Sequence, residues 1–162
     1  SKAWINILET LGIIFLLHPY SNNVLKRTIK TPKVYFYDTG LVCYLTRWSS
    51  PEVAESGAMS GALLENYTVS EIMKSYQNAG LEPYLYFYRD RDAKEIDVIL
   101  EGDGKLCPLE IKKTATPDKR LTRVFKVIDK SPLQLGTGAV LCMADKFSAF
   151  DSNNLIVPIW MI

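Results

Sequence analysis

The sequence predicts an α/β (α+β) fold in which a mixed β-sheet is flanked by helices. A long segment of helical character ends at Gly80, a residue typical of helix C-termini. Three segments rich in β-branched and aromatic residues follow it, at 84–90, 95–102 and 105–113. A basic helical segment and two further apolar strands, at 135–143 and 154–162, complete the chain, and this order indicates a sheet covered by helices.

The N-terminal part of the chain predicts a partial winged helix-turn-helix. Trp4, Ile7, Leu8 and Leu11 recur at helical spacing before Gly12. A short apolar run, a polar turn at 18–23 and a strand over 24–38 would form a hairpin with a basic turn. A simple helix-and-hairpin cap is the alternative. The absence of an earlier helix predicts that the chain is a piece of a longer protein.

Two units are expected, a partial winged helix-turn-helix segment at 1–47 and a larger domain at 58–162. The stretch 47–61 is rich in Ser, Gly and Pro, which favours a linker or loop between them. A short helix is predicted at 41–45 and the longest helix at about 62–79. The sequence Gly-Asp-Gly at 102–104 predicts a tight hairpin turn between two strands.

The charge of the chain is balanced overall and uneven along its length. The 162 residues carry a net charge of +1, so the whole chain lacks a nucleic-acid-binding composition. The stretch 105–130, however, holds eight basic and three acidic residues, and the stretch 48–104 before it is acidic. Its basic helix is predicted to bury Leu121, Val124, Phe125 and Ile128. A polyanion site beside a bound cation and a merely solvated helix face are both compatible with this pattern.

Cysteine and histidine usage excludes several classes of site. The three cysteines are far apart in the sequence and indicate small buried side chains in a reducing compartment, so a cytoplasmic location is expected. The single His18 leaves no basis for an ordinary zinc site. No signal peptide or membrane-length apolar stretch is evident, and no membrane partner is expected.

The segment LCPLEIKK, at 106–113, places charged groups within an apolar strand. Strand alternation puts Glu110 and Lys112 on one face and Leu109 with its apolar neighbours on the other. On the partner strand, alternation predicts Ile96, Val98 and Leu100 on one face and Asp97, with Glu95 and Ile99, on the other. If the hairpin register agrees, one lysine and two carboxylates converge, and two ionised carboxylates this close require a cation.

A third carboxylate lies on the long helix. Glu65 shares its helical face with mostly apolar or small residues, so this face is predicted to pack on the sheet. An ionised carboxylate there is costly unless it is paired or bound to metal. Glu65, Asp97 and Glu110 are therefore candidate ligands of Mg²⁺ or Mn²⁺, with Lys112 beside the bound phosphate. A hairpin ion pair without metal is the alternative.

These residues resemble the PD-(D/E)xK nuclease superfamily, which has a restriction-endonuclease-like core. The strings KVYFYDTGL, GALLENYTVSEI, LYFYRDRDAKEIDVIL and LEIKK resemble, more closely, an uncharacterised C-terminal domain of bacterial and archaeal AAA+-type ATPases. The resemblance implies that Glu65, Asp97, Glu110 and Lys112 are catalytic residues. Ile96 stands where the superfamily motif often has proline.

The resemblance implies DNA as a partner, together with an ATPase module that precedes this domain in the full-length protein. No P-loop sequence occurs here, so this chain is not itself the ATPase. The expected activity is Mg²⁺- or Mn²⁺-dependent cleavage of DNA, with backbone contacts from Lys113, Lys119, Arg120 and Arg123. A catalytically inactive DNA- or protein-binding module and a purely structural domain are the alternatives.

Overall fold

The computed structural model describes residues 2–21 and 29–162. Within these ranges, α-helices lie at Lys2–Thr10 (α1), Thr39–Leu45 (α2), Pro51–Ser56 (α3) and Ser60–Asn78 (α4). The strands are Ile14–Pro19 (β1), Lys33–Phe36 (β2), Leu85–Arg89 (β3), Glu95–Gly102 (β4), Lys105–Lys112 (β5), Gln134–Leu135 (β6), Gly138–Cys142 (β7), Ser148–Asp151 (β8) and Asn154–Pro158 (β9). Two 3-10 helices lie at Lys119–Lys130 and Ile159–Met161.

The strands of the described ranges form one mixed sheet, which confirms the predicted fold class. Its order is β2-β1-β3-β4-β5-β7-β9-β8, with β6 paired to β5 outside this path. Strand β4 runs antiparallel to both of its neighbours, β3 and β5, whereas β5, β7 and β9 are parallel neighbours. The predicted turn after Gly102 is present, and Asp103 and Gly104 both have positive φ angles, as a two-residue hairpin turn of this type requires.

Two apolar clusters sit on opposite faces of the sheet. The first lies beneath α4 and contains Val69, Phe87 and Ile111 among others. The second lies beneath the longer 3-10 helix and contains Ile99 and Phe125. Burial of each large apolar side chain contributes roughly 1.5–3 kcal/mol, so the two clusters hold a helix–sheet–helix sandwich together.

Helix α4 is fastened to the edge of the sheet by Asn66. The Asn66 side chain accepts the backbone N–H of Phe36 at 2.8 Å and donates to the carbonyl of the same residue at 3.1 Å. The Asn66 amide thus supplies β2 with hydrogen bonds of the kind that a neighbouring strand would make. Because Asn66 directly follows Glu65, this contact also fixes Glu65 beside β2.

A β-bulge changes the alternation predicted for β4. Tyr86 pairs with Ile99, but Tyr88 pairs with Ile96, so β4 has one extra residue across this interval. As a result Ile96 and Ile99 both pack in the cluster beneath the 3-10 helix, while Val98 packs beneath α4. The predicted grouping of Ile96 with Val98 on one face is therefore wrong.

The basic helix is a 3-10 helix rather than an α-helix. Its buried residues are Thr122, Phe125 and Ile128, which recur every third position, as three residues per turn require. Leu121 and Val124, predicted on the buried face from α-helical spacing, are only half-buried. The 3-10 geometry therefore places Thr122 on the buried face, in place of Leu121 and Val124.

The N-terminal predictions have mixed outcomes. Strands β1 and β2 form the predicted antiparallel pair. The strand predicted over 24–38 is too long, because β2 covers only Lys33–Phe36 and residues 29–32 are not in a strand. His18 and Pro19, predicted in the polar turn, belong to β1, and residues 22–28 lie outside the described residues. Strand β1 also pairs with β3 in parallel, so it extends the central sheet. The division into 1–47 and 58–162 and the winged-helix assignment stay predictions.

Two further local predictions, both outside the N-terminal region, are wrong. The stretch 47–61 was expected to be a loop, yet it contains α3, which begins with Ser50 as N-cap and Pro51 in the first turn. The C-terminal segment 154–162 was expected to be a single strand. It leaves the sheet after Pro158 and ends in a 3-10 turn.

Candidate active site

Asp97 lies where β4 and β5 part. Counted from the hairpin turn, the ladder between these strands ends at the pair Val98 and Leu109. Asp97 is the next residue of β4 and lies just outside the ladder. Beyond that point, Oδ2 of Asp97 accepts the backbone N–H of Ile111 at 2.8 Å, so the side chain bonds across the opening between the strands. Asp97 is 7% exposed, and this bond fixes a buried carboxylate at the end of the hairpin ladder.

Glu110 and Lys112 stand beside Asp97, as the sequence predicts. The Lys112 amino group lies 2.8 Å from Oε1 of Glu110 and 3.9 Å from Oδ2 of Asp97. The other oxygen of Glu110, Oε2, is buried and has no hydrogen-bond partner among the described residues. A buried carboxylate oxygen without a donor is costly, which makes it a candidate ligand for a cation.

Burial and the repulsion between neighbouring carboxylates disfavour the ionised forms of Asp97 and Glu110. Burial and the charge of Asp97 raise the pKa of Glu110 to about 7, despite the nearby Lys112 ammonium. Burial likewise raises the pKa of Asp97 above its ordinary value, although the Ile111 N–H and Lys112 oppose the change. Ionising both acids beside a single lysine is therefore unfavourable, and a bound cation would relieve this cost.

Glu65 is held by other partners. Its Oε1 accepts the Tyr35 hydroxyl at 2.5 Å and the Lys33 ammonium at 2.9 Å. Burial and the charge of Glu65 raise the pKa of Tyr35, so the phenol remains protonated and continues to donate. Glu65 is thus fixed between α4 and β2.

Lys33 links this glutamate to the hairpin. Its ammonium is also 2.6 Å from Oε1 of Glu95, and it lies 5.3 Å from the centre of the Phe87 ring. Burial alone would lower the pKa of Lys33, but its bonds to Glu95 and Glu65 outweigh burial and raise it. Sequence reasoning missed Lys33, Tyr35 and Glu95. Lys33 and Tyr35 are two residues apart in the strand KVYF, so alternation predicts them on the same face. The sequence does not reveal that their shared partner is Glu65.

The fit of a divalent cation depends on Asp97 and Glu110. Their hard oxygen donors, and the partnerless Oε2 of Glu110 above all, suit Mg²⁺ or Mn²⁺. Within residues 2–21 and 29–162, no group of three metal-ligating side chains is assembled. Glu65 is engaged by Lys33 and Tyr35, so its predicted role as a third ligand stays a prediction, as do the catalytic assignments.

The four predicted DNA contacts fall in two separate places. Lys113 binds the carbonyl of Glu55 and the hydroxyl of Ser60, near α3 and α4. The other three lie on the 3-10 helix and line a cleft on its side of the sheet: Lys119, Arg120 and Arg123. They do not form one surface with Lys113, and their DNA-binding role stays a prediction.

Two general features accompany this site. The three cysteines are free thiols. Cys142 is buried as predicted, whereas Cys43 and Cys107 are only half-buried, so the prediction of buried side chains is wrong for these two. Among the described residues, none of the helices combines the length and apolar character needed to cross a membrane.

Comparison with known proteins places these features in a family. The model described as "Domain of unknown function (DUF8612)" matches residues 1–52, and the model described as "Domain of unknown function (DUF4143)" matches residues 60–162. Uncharacterized protein Mb2031c of Mycobacterium bovis and uncharacterized protein Rv2008c of Mycobacterium tuberculosis are each 29% identical to this chain over 159 residues. That alignment covers 98% of this chain and 34% of either relative, so the chain spans about a third of the length of these curated relatives.

No solved structure matches this chain. The DUF4143 match contains α4, the β4–β5 hairpin and every residue predicted to be catalytic. It also covers more than half of the sequence. The chain therefore belongs to the DUF4143 family.

Proposed function

We propose that this protein is a nucleic-acid-processing module that hydrolyses phosphodiester bonds of DNA with Mg²⁺ or Mn²⁺. One observation carries the proposal. Asp97 and Glu110 meet Lys112 where two strands part, and one buried oxygen of Glu110 lacks a donor. Two carboxylates with a single ammonium beside them favour the binding of a divalent cation, and that ammonium favours the binding of a phosphate group.

Each residue has a distinct role in this proposal. Asp97 and Glu110 would hold the ion, and the Ile111 N–H would keep the Asp97 carboxylate oriented toward it. When bound, the ion would supply charge stabilisation and make water a competent nucleophile at neutral pH. Lys112 would stabilise the negative charge that develops on the phosphate oxygens. Glu65, fixed by Lys33 and Tyr35, would add its negative charge to the electrostatic potential at Asp97.

The experiment is a cleavage assay on single-stranded, duplex and branched DNA, with Mg²⁺, with Mn²⁺ and with chelator. We expect cleavage that requires the ion and is lost in Asp97→Asn. Asp103→Asn is the matched control, because it makes the same chemical change at an exposed hairpin turn. Cleavage that survives in Asp97→Asn would reject the assigned mechanism.

Thermal unfolding gives a second measurement. An ion bound only by the folded state raises the melting temperature, and at 100 times its Kd it stabilises by about 2.7 kcal/mol. We expect this increase with Mn²⁺ in the wild type and in Asp103→Asn, but not in Asp97→Asn. The control variant separates specific binding from a general effect of salt.

A second candidate is a DNA- or protein-binding module without catalysis. It is favoured by Glu65, whose carboxylate is engaged by Lys33 and Tyr35 rather than exposed to a metal. In this case Asp97, Glu110 and Lys112 would form an ion-pair group without metal. DNA binding without cleavage, together with an unchanged melting temperature in Mn²⁺, would favour this candidate over the hydrolase.

In either case we propose that the module serves an ATPase module of the same full-length protein, as the sequence resemblance implies. The two modules would then act on one DNA substrate. The proposal predicts that DNA binding or cleavage by the full-length protein changes when ATP is added. Identical behaviour with and without ATP would argue against this partnership.

A further inference from the structure

A basic cleft lies on the face of the sheet covered by the 3-10 helix Lys119–Lys130. It has a volume of about 500 Å³. One wall is the exposed edge of that helix, and the other is the turn between β8 and β9. Its lining includes Pro108 of β5 and the basic residues Lys119, Arg120, Arg123 and Lys126. The cleft is therefore walled by cations and open to solvent.

The acid that lines this cleft is already neutralised. Asp151 lies 2.8 Å from the Lys119 ammonium, and its other oxygen accepts the backbone N–H of Asn153 and the side-chain amide of Asn154, each at 2.9 Å. Hydrogen bonds from Lys119 and the Asn153 N–H lower the pKa of Asp151 well below its ordinary value. Asp151 thus offsets Lys119 and none of the other cations of the cleft.

The remaining cations differ in how freely they can bind. Arg120 makes a fully exposed ion pair with Asp118 at 2.8 Å, and a pair of this kind is weak and exchanges readily with another anion. Arg123 and Lys126 are exposed and form no salt bridge within the part of the chain that the structure describes. A ligand of this cleft would therefore be an anion.

The spacing of these cations identifies the kind of anion. In a 3-10 helix, residues three apart lie directly above one another, at about 2.0 Å of rise per residue. Arg120, Arg123 and Lys126 therefore form one straight row with roughly 6 Å between neighbours. That separation is comparable to the distance between consecutive phosphates along one strand of nucleic acid. An α-helix would fan the same residues around its axis.

The cleft and the candidate active site share strand β5. Pro108 lines the cleft and lies two residues before Glu110 on β5, so their side chains share one face about 7 Å apart along the strand. A strand with one phosphate at Asp97 and Glu110 would continue into the cleft without leaving the sheet surface. Lys113, which is bound near α3 and α4, lies outside this path.

We propose that the row Arg120, Arg123 and Lys126 binds consecutive phosphates of one nucleic-acid strand in this cleft. The inference rests on the proposed function for the class of ligand, but it does not require catalysis. It adds Lys126 to the predicted contacts, and it removes Lys113 and Lys119 from them. Recognition through the backbone alone makes the contact independent of base sequence.

The test is the salt dependence of binding to a short labelled single-stranded oligonucleotide, measured by fluorescence anisotropy in the presence of chelator. Each phosphate contact on a single strand contributes about 0.7 to the slope of log affinity against log salt. We expect the slope to fall by about 1.4 in the double variant Arg123→Gln/Lys126→Gln. The charge-preserving variant Arg123→Lys/Lys126→Arg should retain the wild-type slope.

Lys105→Gln/Lys130→Gln is the matched control, because it removes two exposed positive charges that do not line the cleft. Its slope should equal that of the wild type. Equal slopes for the two neutralised double variants, no binding by the wild type, or equally strong competition by polyglutamate would each overturn the proposal. The chelator prevents metal-dependent cleavage. The binding measurement can therefore be interpreted whether or not the protein is a nuclease.

Discussion

Replacement of Glu110 by glutamine is expected to stabilise the protein at neutral and alkaline pH. Burial and the charge of Asp97 raise the pKa of Glu110 from its ordinary value of 4.5 to about 7. The folded state therefore holds this proton more tightly than the unfolded state does. Stability from Glu110 is fully present below about pH 4.5 and is lost as the pH rises through about 7.

The magnitude follows from the two pKa values. Each pH unit between 4.5 and about 7 corresponds to about 1.4 kcal/mol, so ionised Glu110 costs the fold about 3 kcal/mol above pH 7. The Glu110 side chain is 10% exposed, so solvent screens little of this cost. Glutamine keeps the shape and removes the charge, and Glu110→Gln should gain about this amount at pH 8 and almost none at pH 4.

The assay is urea denaturation of the wild type and Glu110→Gln at several pH values between 4 and 8. Glu82→Gln is the control, because Glu82 is exposed in the loop before β3. A stability difference for Glu110→Gln that does not grow between pH 4.5 and 7, or that has the opposite sign, would refute the reasoning. Added Mn²⁺ should stabilise the wild type more than Glu110→Gln if the carboxylate is a ligand.

Three further substitutions test the local structure by chemical denaturation. Asp38→Ala removes the side chain that caps the first turn of α2 and should cost about 1 kcal/mol, whereas Asp38→Asn should cost much less. Gly138→Ala would place a Cβ 2.7 Å from the Phe125 ring and should cost about 1–3 kcal/mol; an unchanged midpoint would contradict this packing. Lys33→Met leaves Glu65 without its ammonium partner and should cost roughly 2 kcal/mol. The double variant Lys33→Met/Glu65→Gln should recover part of that loss, and equal losses in both variants would show that the pair is not coupled.

The parts of the fold that depend on local sequence were predictable. Helix α4 and the β4–β5 hairpin are determined by residues close in sequence, including the turn formed by Asp103 and Gly104. The convergence of Asp97, Glu110 and Lys112 follows from that hairpin. The site core could therefore be predicted from spacing alone.

The remaining features depend on distant partners or on backbone details. The bulge in β4 arises opposite β3, so alternation within β4 could not place Ile96 correctly. Three-residue periodicity in Thr122, Phe125 and Ile128 is present in the sequence, but α-helical spacing is the usual expectation for a segment of that length. Lys33 reaches Glu65 from another strand, and only the folded chain reveals that partner.

The Lys33–Glu65 bond crosses the boundary between the two family matches. Lys33 belongs to the segment 1–52, whereas Glu65 and Glu95 belong to the segment 60–162. A shortened protein that began at residue 60 would keep all four motif residues, yet it would retain two acids whose shared counterion had been cut away. Trimming this protein to its recognisable motif region would therefore alter the electrostatics of the very site that such a truncation was meant to isolate.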